Sequence, residues 1–313
     1  MSSPASLGAY ARLLRVSNVL TAVADVWMGL IVSRGALAPV ATCVALSLAS
    51  VCLYLSGMVL NDVFDAGVDA RERPERPIPA GQIAAATASR LGWGLLLAGI
   101  GLAAAASLLE HSWLPAVAAV LLACCVVAYN AWLKKTPLGP VAMGLCRVGN
   151  VVLGMSVGPG SLITAESLSL PAPIIYIAPG VLLYIAGLTW FARSEETISR
   201  RMTLGAASIV MLSGLAVFAS GPTYYAIGPR LVVAESGWLL LWLVIAMLVA
   251  RRLVAALLQP SPAQVQAAVG NALQTIITID AALAWGYAGP QWGLAVLALL
   301  PPTMLLAHFV RQT

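Results

Sequence analysis

Long apolar runs set the first constraint on this chain. They occupy residues 17–33, 37–60, 88–109, 113–133, 138–158, 173–192, 202–220, 236–250, 271–288 and 292–309, each near the ~17–25 residues a helix needs to cross a bilayer. Strands of a membrane barrel would instead alternate over segments of about ten residues. The expectation is an all-α, polytopic transmembrane bundle of nine or ten helices, with residues 1–313 forming one domain. Nine or ten turns on Gly289-Pro290, which reads either as a turn or as a kink, and on Pro301 and Pro302 in the last run. Composition agrees: 60% of residues are hydrophobic, 9% are charged and the mean hydropathy is +0.92. So few charges cannot clothe a soluble core, and disordered chains are poor in apolar residues.

The first run follows Arg12 and Arg15 in the manner of a signal peptide. It contains Asp25 and leads into a second, longer run, so it reads as a retained helix. An inside N-terminus puts 14 of the 17 Lys and Arg residues on the inner side, leaving Arg34 and Arg230 outside and Arg147 within a run. That bias fixes orientation. It implies an integral protein of a bacterial inner membrane with its polar loops in the cytoplasm, and it explains the net charge of +5 without nucleic acid. The five cysteines lie in apolar runs with no CxxC pair, as small buried hydrophobes do.

The chemistry concentrates in NDVFDAGVDARERPERPIPAG, residues 61–81. Asp62, Asp65 and Asp69 are spaced i, i+3, i+7, so a helix continuing past the membrane surface projects all three carboxylates from one face. Like charges on one stripe repel. A divalent cation against them offsets that cost, and hard carboxylate oxygens suit Mg²⁺ bridged to substrate phosphates. Arg71, Arg73 and Arg76 follow within a few residues, ready to hold phosphate oxygens as guanidinium forks. A solvated acidic helix end is the bland alternative.

NDxxDxxxD followed by PxRPIPxG resembles the UbiA superfamily of intramembrane prenyltransferases, through Asn61, Asp62, Asp65, Asp69, Pro74, Arg76, Pro77, Ile78, Pro79 and Gly81. LLRVSNVLTAVADV, with Asn18, and YNAWLKKTPLGPVAMG, with Lys134, are similar to further segments of that family. The resemblance covers about the first 200 residues; the last third matches by hydropathy alone. It implies a UbiA-like fold and Mg²⁺-dependent transfer of an isoprenoid chain from a prenyl diphosphate to a small acceptor at the bilayer. Asp62, Asp65 and Asp69 would be the catalytic metal ligands, Asn61 an orienting amide, and Arg73, Arg76 and Lys134 diphosphate contacts.

The family's second Asp-rich segment is where this chain departs. After the sixth run it has GLTWFARSEETISRR, and no aspartate occurs between Asp69 and Asp280. Glu195 and Glu196 are the carboxylates at that place. They are either a second, atypical metal site or juxtamembrane charges balanced by nearby arginines, and Arg193 is the group placed to substitute for a second metal's charge. Both carboxylate segments follow even-numbered runs and so share one membrane face. Asp25, Arg147, Glu235 and Asp280 lie in apolar runs, where charge is expensive and marks function or internal pairing. Arg147 and Asn150, at i and i+3, read equally as substrate contacts or as partners of Asp25 or Asp280.

The segment after the sixth run and the Arg-x-x-Asn of the fifth are similar to the UbiA-like proteins called EboC, which implies a polyol or cyclitol acceptor rather than an aromatic one. The incomplete second motif motivates a competing reading, a non-catalytic prenyl-diphosphate or lipid-binding or transport protein. A CDP-alcohol phosphotransferase is disfavoured, since the DGxxAR pattern is missing.

Overall fold

The structure is a computed structural model that describes residues 7–158, 173–193, 200–221 and 231–312. Among these residues it is all-helical. A short helix α1 (Leu7–Leu14) leads through a 3-10 turn (Val16–Asn18) into α2 (Val19–Arg34), α3 (Val40–Glu72), α4 (Ala85–Leu109) and α5 (Leu114–Ala131). A second 3-10 turn (Leu133–Lys135) precedes α6 (Gly139–Met155) and α7 (Ile174–Ala192). The chain continues through α8 (Arg201–Ala219), α9 (Glu235–Leu258), α10 (Pro262–Ala288), α11 (Pro290–Leu297) and α12 (Leu300–Gln312). Nine helical segments among the described residues are long and apolar enough to cross a membrane, and α6, at 17 residues, is a shorter apolar helix between two of them. Large apolar side chains such as Leu97, Leu121, Leu240 and Leu243 are more than half exposed, as a lipid-facing surface requires.

Two apolar clusters share α2 and α6. One gathers Val26, Leu30, Leu46, Leu53, Leu96, Leu122 and Leu153 from α2 to α6; the other gathers Met28, Met155, Tyr184, Phe191, Phe218, Trp238 and Trp242 from α2 and α6 to α10. At the α2–α6 crossing, glycines face backbone. A β-carbon on Gly29 would lie 2.7 Å from the Val151 carbonyl oxygen, and one on Gly154 would collide with that of Val26. This close approach brings side chains deep in the two helices into contact.

The ends of the predicted runs move in three places. α10 starts at Pro262, earlier than hydropathy implies, because Ser261 caps it by accepting from the Gln264 N–H. Gly289, at φ +95°, is a turn: a β-carbon on Gly293 would lie 2.7 Å from Trp285 Cβ, so α11 folds back along α10. Pro301 and Pro302 stand in the first turn of α12, where a missing N–H costs little. Glu235 is the first residue of its span rather than an interior one; it opens α9 in an exposed position, where the helix N-terminus favours a carboxylate.

Candidate active site

At 33 residues α3 outruns a membrane crossing, and its last three turns carry the acidic stripe. Asp62 and Asp69 are buried, 4% and 3% exposed, and Asp65 is half-buried. Each carboxylate meets a cation from elsewhere in the chain. Arg15 Nη2 stands 3.1 Å from Asp62 Oδ1, Arg76 Nη1 stands 3.3 Å from Asp62 Oδ1 and 2.7 Å from Asp69 Oδ2, and Lys134 Nζ stands 2.7 Å from Asp65 Oδ2. Lys134 also donates to Asn61 Oδ1 at 3.0 Å. Burial pulls the Lys134 ammonium below the ordinary lysine range, and the hydrogen bond and charge of Asp65 oppose that shift.

Local sequence explains how those cations arrive. Arg76 comes back onto the stripe because α3 ends at Glu72 and prolines 74, 77 and 79 forbid its continuation. Three turn bonds close the loop: Ala80 N–H to Arg76 O, Gly81 N–H to Ile78 O and Ile83 N–H to Pro77 O. Gly81 sits at φ +71°, where a side chain is strained, and Ile78 is buried beside Leu13, Val59, Ile83 and Ala88. Arg15 is turned inward by its own left-handed backbone, φ +46°, at the break between α1 and the 3-10 turn. Lys134 is placed by α5, which Asn130 ties to α3 by donating to the Gly57 carbonyl at 3.1 Å.

A cleft of about 780 Å³ opens over the stripe. Its walls include Arg12, Arg15, Arg73, Arg76, Lys134, Lys135 and Arg193, seven cations, against the four carboxylates of Asp62, Asp65, Glu72 and Glu75. The excess of positive charge selects an anion. Adjoining it is a narrower cavity of about 160 Å³ that runs among α2, α3, α5 and α6 past Leu53, Tyr54, Leu122 and Val126. Arg15, Asn61 and Tyr129 line both. An anionic head can occupy the cleft while an apolar tail enters the cavity, with Tyr129 at the junction and Tyr54 in the cavity wall as the nearby aromatic side chains.

The donor set fits a hard divalent cation in type: carboxylate oxygens on one face, with phosphate-binding cations beside them. Among the described residues no three His, Cys, Asp or Glu side chains converge as a ready-made cluster; each of the three aspartates is engaged by Arg or Lys.

The other predicted site residues distribute unevenly. Arg193 lines the cleft and donates to the Thr136 carbonyl at 2.5 Å. Glu195 and Glu196 lie outside the described residues. Asn18 ends the 3-10 turn, its carbonyl accepting from Thr21 Oγ1 at 2.7 Å, and does not line the cleft. Arg147 and Asn150 line the deep end of the apolar cavity and also pair internally. Arg147 Nε stands 2.7 Å from Asp25 Oδ2, Asn150 Nδ2 donates to the same oxygen at 2.9 Å, and Ser50 Oγ donates to Asn150 Oδ1 at 2.7 Å. Asp280 stands against Asp25 with a buried oxygen, Oδ2, lacking a hydrogen-bond partner among the described residues. Asp25 and Asp280 are each 1% exposed. Sequence reasoning gave no site role to Arg12, Arg15, Lys135, Tyr54 or Tyr129. In the sequence Arg12 and Arg15 read as orientation charges, and Tyr129, the first residue of YNAWLKK, is the available signal for the aromatic wall.

The chain belongs to the UbiA prenyltransferase family, whose model matches residues 22–272. It is an intramembrane prenyltransferase by that membership, as the motif implied. Digeranylgeranylglyceryl phosphate synthase of Methanopyrus kandleri is 30% identical over 220 residues, 70% of this chain and 74% of that protein. The synthase of the same name from Ignicoccus hospitalis is 31% identical over 185 residues, 58% of this chain and 56% of that one. A UbiA homologue from Archaeoglobus fulgidus, solved with GPP and Mg²⁺, superposes with a TM-score of 0.63 at 16% identity, covering 93% of this chain and 99% of that one. An apo UbiA homologue from Aeropyrum pernix K1 gives 0.63 at 18%, covering 95% and 100%. At those identities the likeness establishes the fold.

Proposed function

We propose that the protein transfers an isoprenoid chain from a prenyl diphosphate to a hydroxyl of a small polyol-type acceptor, on the cytoplasmic face of a bacterial inner membrane and with Mg²⁺ as cofactor. The observation that carries this reading is the cleft itself: Asp62 and Asp65 on its wall and Asp69 behind Arg76, each held by a cation, with the space opening into an apolar cavity through Arg15, Asn61 and Tyr129. Asp62, Asp65 and Asp69 would hold the metal. When bound it neutralises charge developing on the leaving diphosphate.

Arg15, Arg76 and Lys134 change partners in this account. They guard the carboxylates in the free protein and turn to phosphate oxygens when the donor arrives, where guanidinium forks fit. Arg73 and Arg193 stand on the same walls. The allylic C1–O bond breaks and the diphosphate leaves with the electron pair. The acceptor oxygen bonds to C1, and its proton passes to the solvent-facing cleft. Tyr54 and Tyr129 present π-electrons to the transient allylic cation, and the apolar wall keeps water from intercepting it.

Excess positive charge in the cleft, joined by that of a divalent cation, exceeds what one diphosphate cancels. An acceptor that itself carries phosphate matches the remainder. The relatives' name, which denotes prenyl groups on glyceryl phosphate, supports a phosphorylated polyol; a cyclitol belongs to the same class of hydroxyl nucleophile. Glu195 and Glu196 would be a second carboxylate pair for the same diphosphate.

Incubating the purified protein with radiolabelled geranylgeranyl or farnesyl diphosphate, Mg²⁺ and, in turn, geranylgeranylglyceryl phosphate, a cyclitol or a hydroxybenzoate tests the reading. Mg²⁺-dependent diphosphate release with a labelled polyol ether is expected. Binding without release would favour the non-catalytic alternative, and a labelled benzoate would overturn the acceptor class.

A further inference from the structure

Sharing no residue with the cleft, α9, α10 and α12 enclose a groove of about 230 Å³. Arg251 of α9 and Asn271, Gln274 and Thr278 of α10 line it, with Leu300 and Met304 of α12 along the rim. Thr275 completes the pattern: polar side chains at 271, 274, 275 and 278 follow i, i+3, i+4, i+7, a polar stripe down one face of a membrane helix. α10 and the α11–α12 segment accordingly share the lowest mean hydropathy of the nine candidate spans, 1.3. Polar stripes at bilayer depth persist when something satisfies them, because lipid tails cannot.

The internal partners are few. Thr275 Oγ1 donates to the Asn271 backbone carbonyl at 2.8 Å. Asn271 Oδ1 is buried and has no hydrogen-bond partner among the described residues. Arg251 is exposed, and none of the described residues pairs with it. By helical rise Arg251 lies about 10 Å from the end of α9 at Leu258, and Asn271 about 14 Å from the start of α10 at Pro262. Both helix ends meet at the short connection 259–261, so the two side chains share one leaflet.

The geometry points to a binding site for an anionic phospholipid with a hydroxylated headgroup, its phosphate on Arg251 and a hydroxyl donated to Asn271 Oδ1. Arg251 supplies donors and calls for an anion, whereas Asn271 Oδ1 is an acceptor and calls for a hydroxyl; a glycerol phosphodiester carries both. Leu248 and Met304, each about half exposed (53% and 50%), lie where acyl chains run. The site is separate from the prenyl-transfer cleft and does not depend on that reading. Its chemistry would also accept free phosphate, which the test separates.

Full-length protein in neutral detergent is to be analysed by native mass spectrometry and thermal unfolding with phosphatidylglycerol, with phosphatidylcholine and with inorganic phosphate alone. Phosphatidylglycerol is expected to be retained about tenfold more than phosphatidylcholine and to raise Tm, a stabilisation by ligand linkage. Arg251→Gln should abolish that preference and Thr278→Val should weaken it, while Arg252→Gln, one residue off the groove, should leave it. Equal loss in Arg251→Gln and Arg252→Gln, unchanged retention in Arg251→Gln, or equal protection by inorganic phosphate would overturn the proposal.

Discussion

Two Asp–Arg clusters in this molecule use the same side chains for opposite ends. Along the acidic stripe, Asp62, Asp65 and Asp69 meet Arg15, Arg76 and Lys134, and all three cations line a large polar cleft. In the bundle, Asp25 meets Arg147 with Asn150 and Asp280 around it, and the two side chains of the pair are 2% and 13% exposed. A pair whose cation lines an open cleft can trade its partner for water or a ligand anion. Buried pairs, once formed, are costly to break because the survivor stays unpaired. The first arrangement borders the space that the proposed diphosphate would fill, and the second is an enclosed clasp joining α2, α6 and α10.

The contrast can be broken from either side. Asp25→Ala is expected to be the most damaging change to the fold, destabilising it by about 3–5 kcal/mol, as read by unfolding of the detergent-solubilised protein; a loss near zero would remove the clasp. Asp65→Ala should cost at least about a hundredfold in Mg²⁺-dependent turnover. Near-normal turnover would contradict the ligand assignment. Arg15→Gln, which removes one charge-assisted contact to phosphate, should raise KM for the prenyl diphosphate about tenfold with a smaller effect on the fold. Lys135→Gln should be mildest: a decrease of about threefold in kcat/KM at low salt that disappears at high ionic strength. Salt-independent loss would mean direct contact.

How much of this was legible in the sequence follows the same division. Hydropathy located the spans because each must fill the bilayer, and the i, i+3, i+7 spacing located the acidic stripe because α3 continues unbroken to Glu72. Helix ends were less legible, since the Ser261 cap and the Gly289 turn act through local bonds and backbone angles rather than hydropathy. The partners of the stripe were hardest. Arg15 lies 47 residues from Asp62, and only the packing of α1 and the left-handed backbone at Arg15 bring them together. Arg147 fits two readings in the sequence, and it occupies both places: paired with Asp25 on one side, lining the apolar cavity on the other.

The exchange of partners at the acidic stripe is tested most directly by an experimental structure of the complex with Mg²⁺ and a non-hydrolysable prenyl thiodiphosphate. A metal bound to oxygens of Asp62, Asp65 or Asp69 is expected, with Arg15, Arg76 and Lys134 moved onto the phosphates. Carboxylates still paired with those same cations, and a donor seated elsewhere, would contradict it.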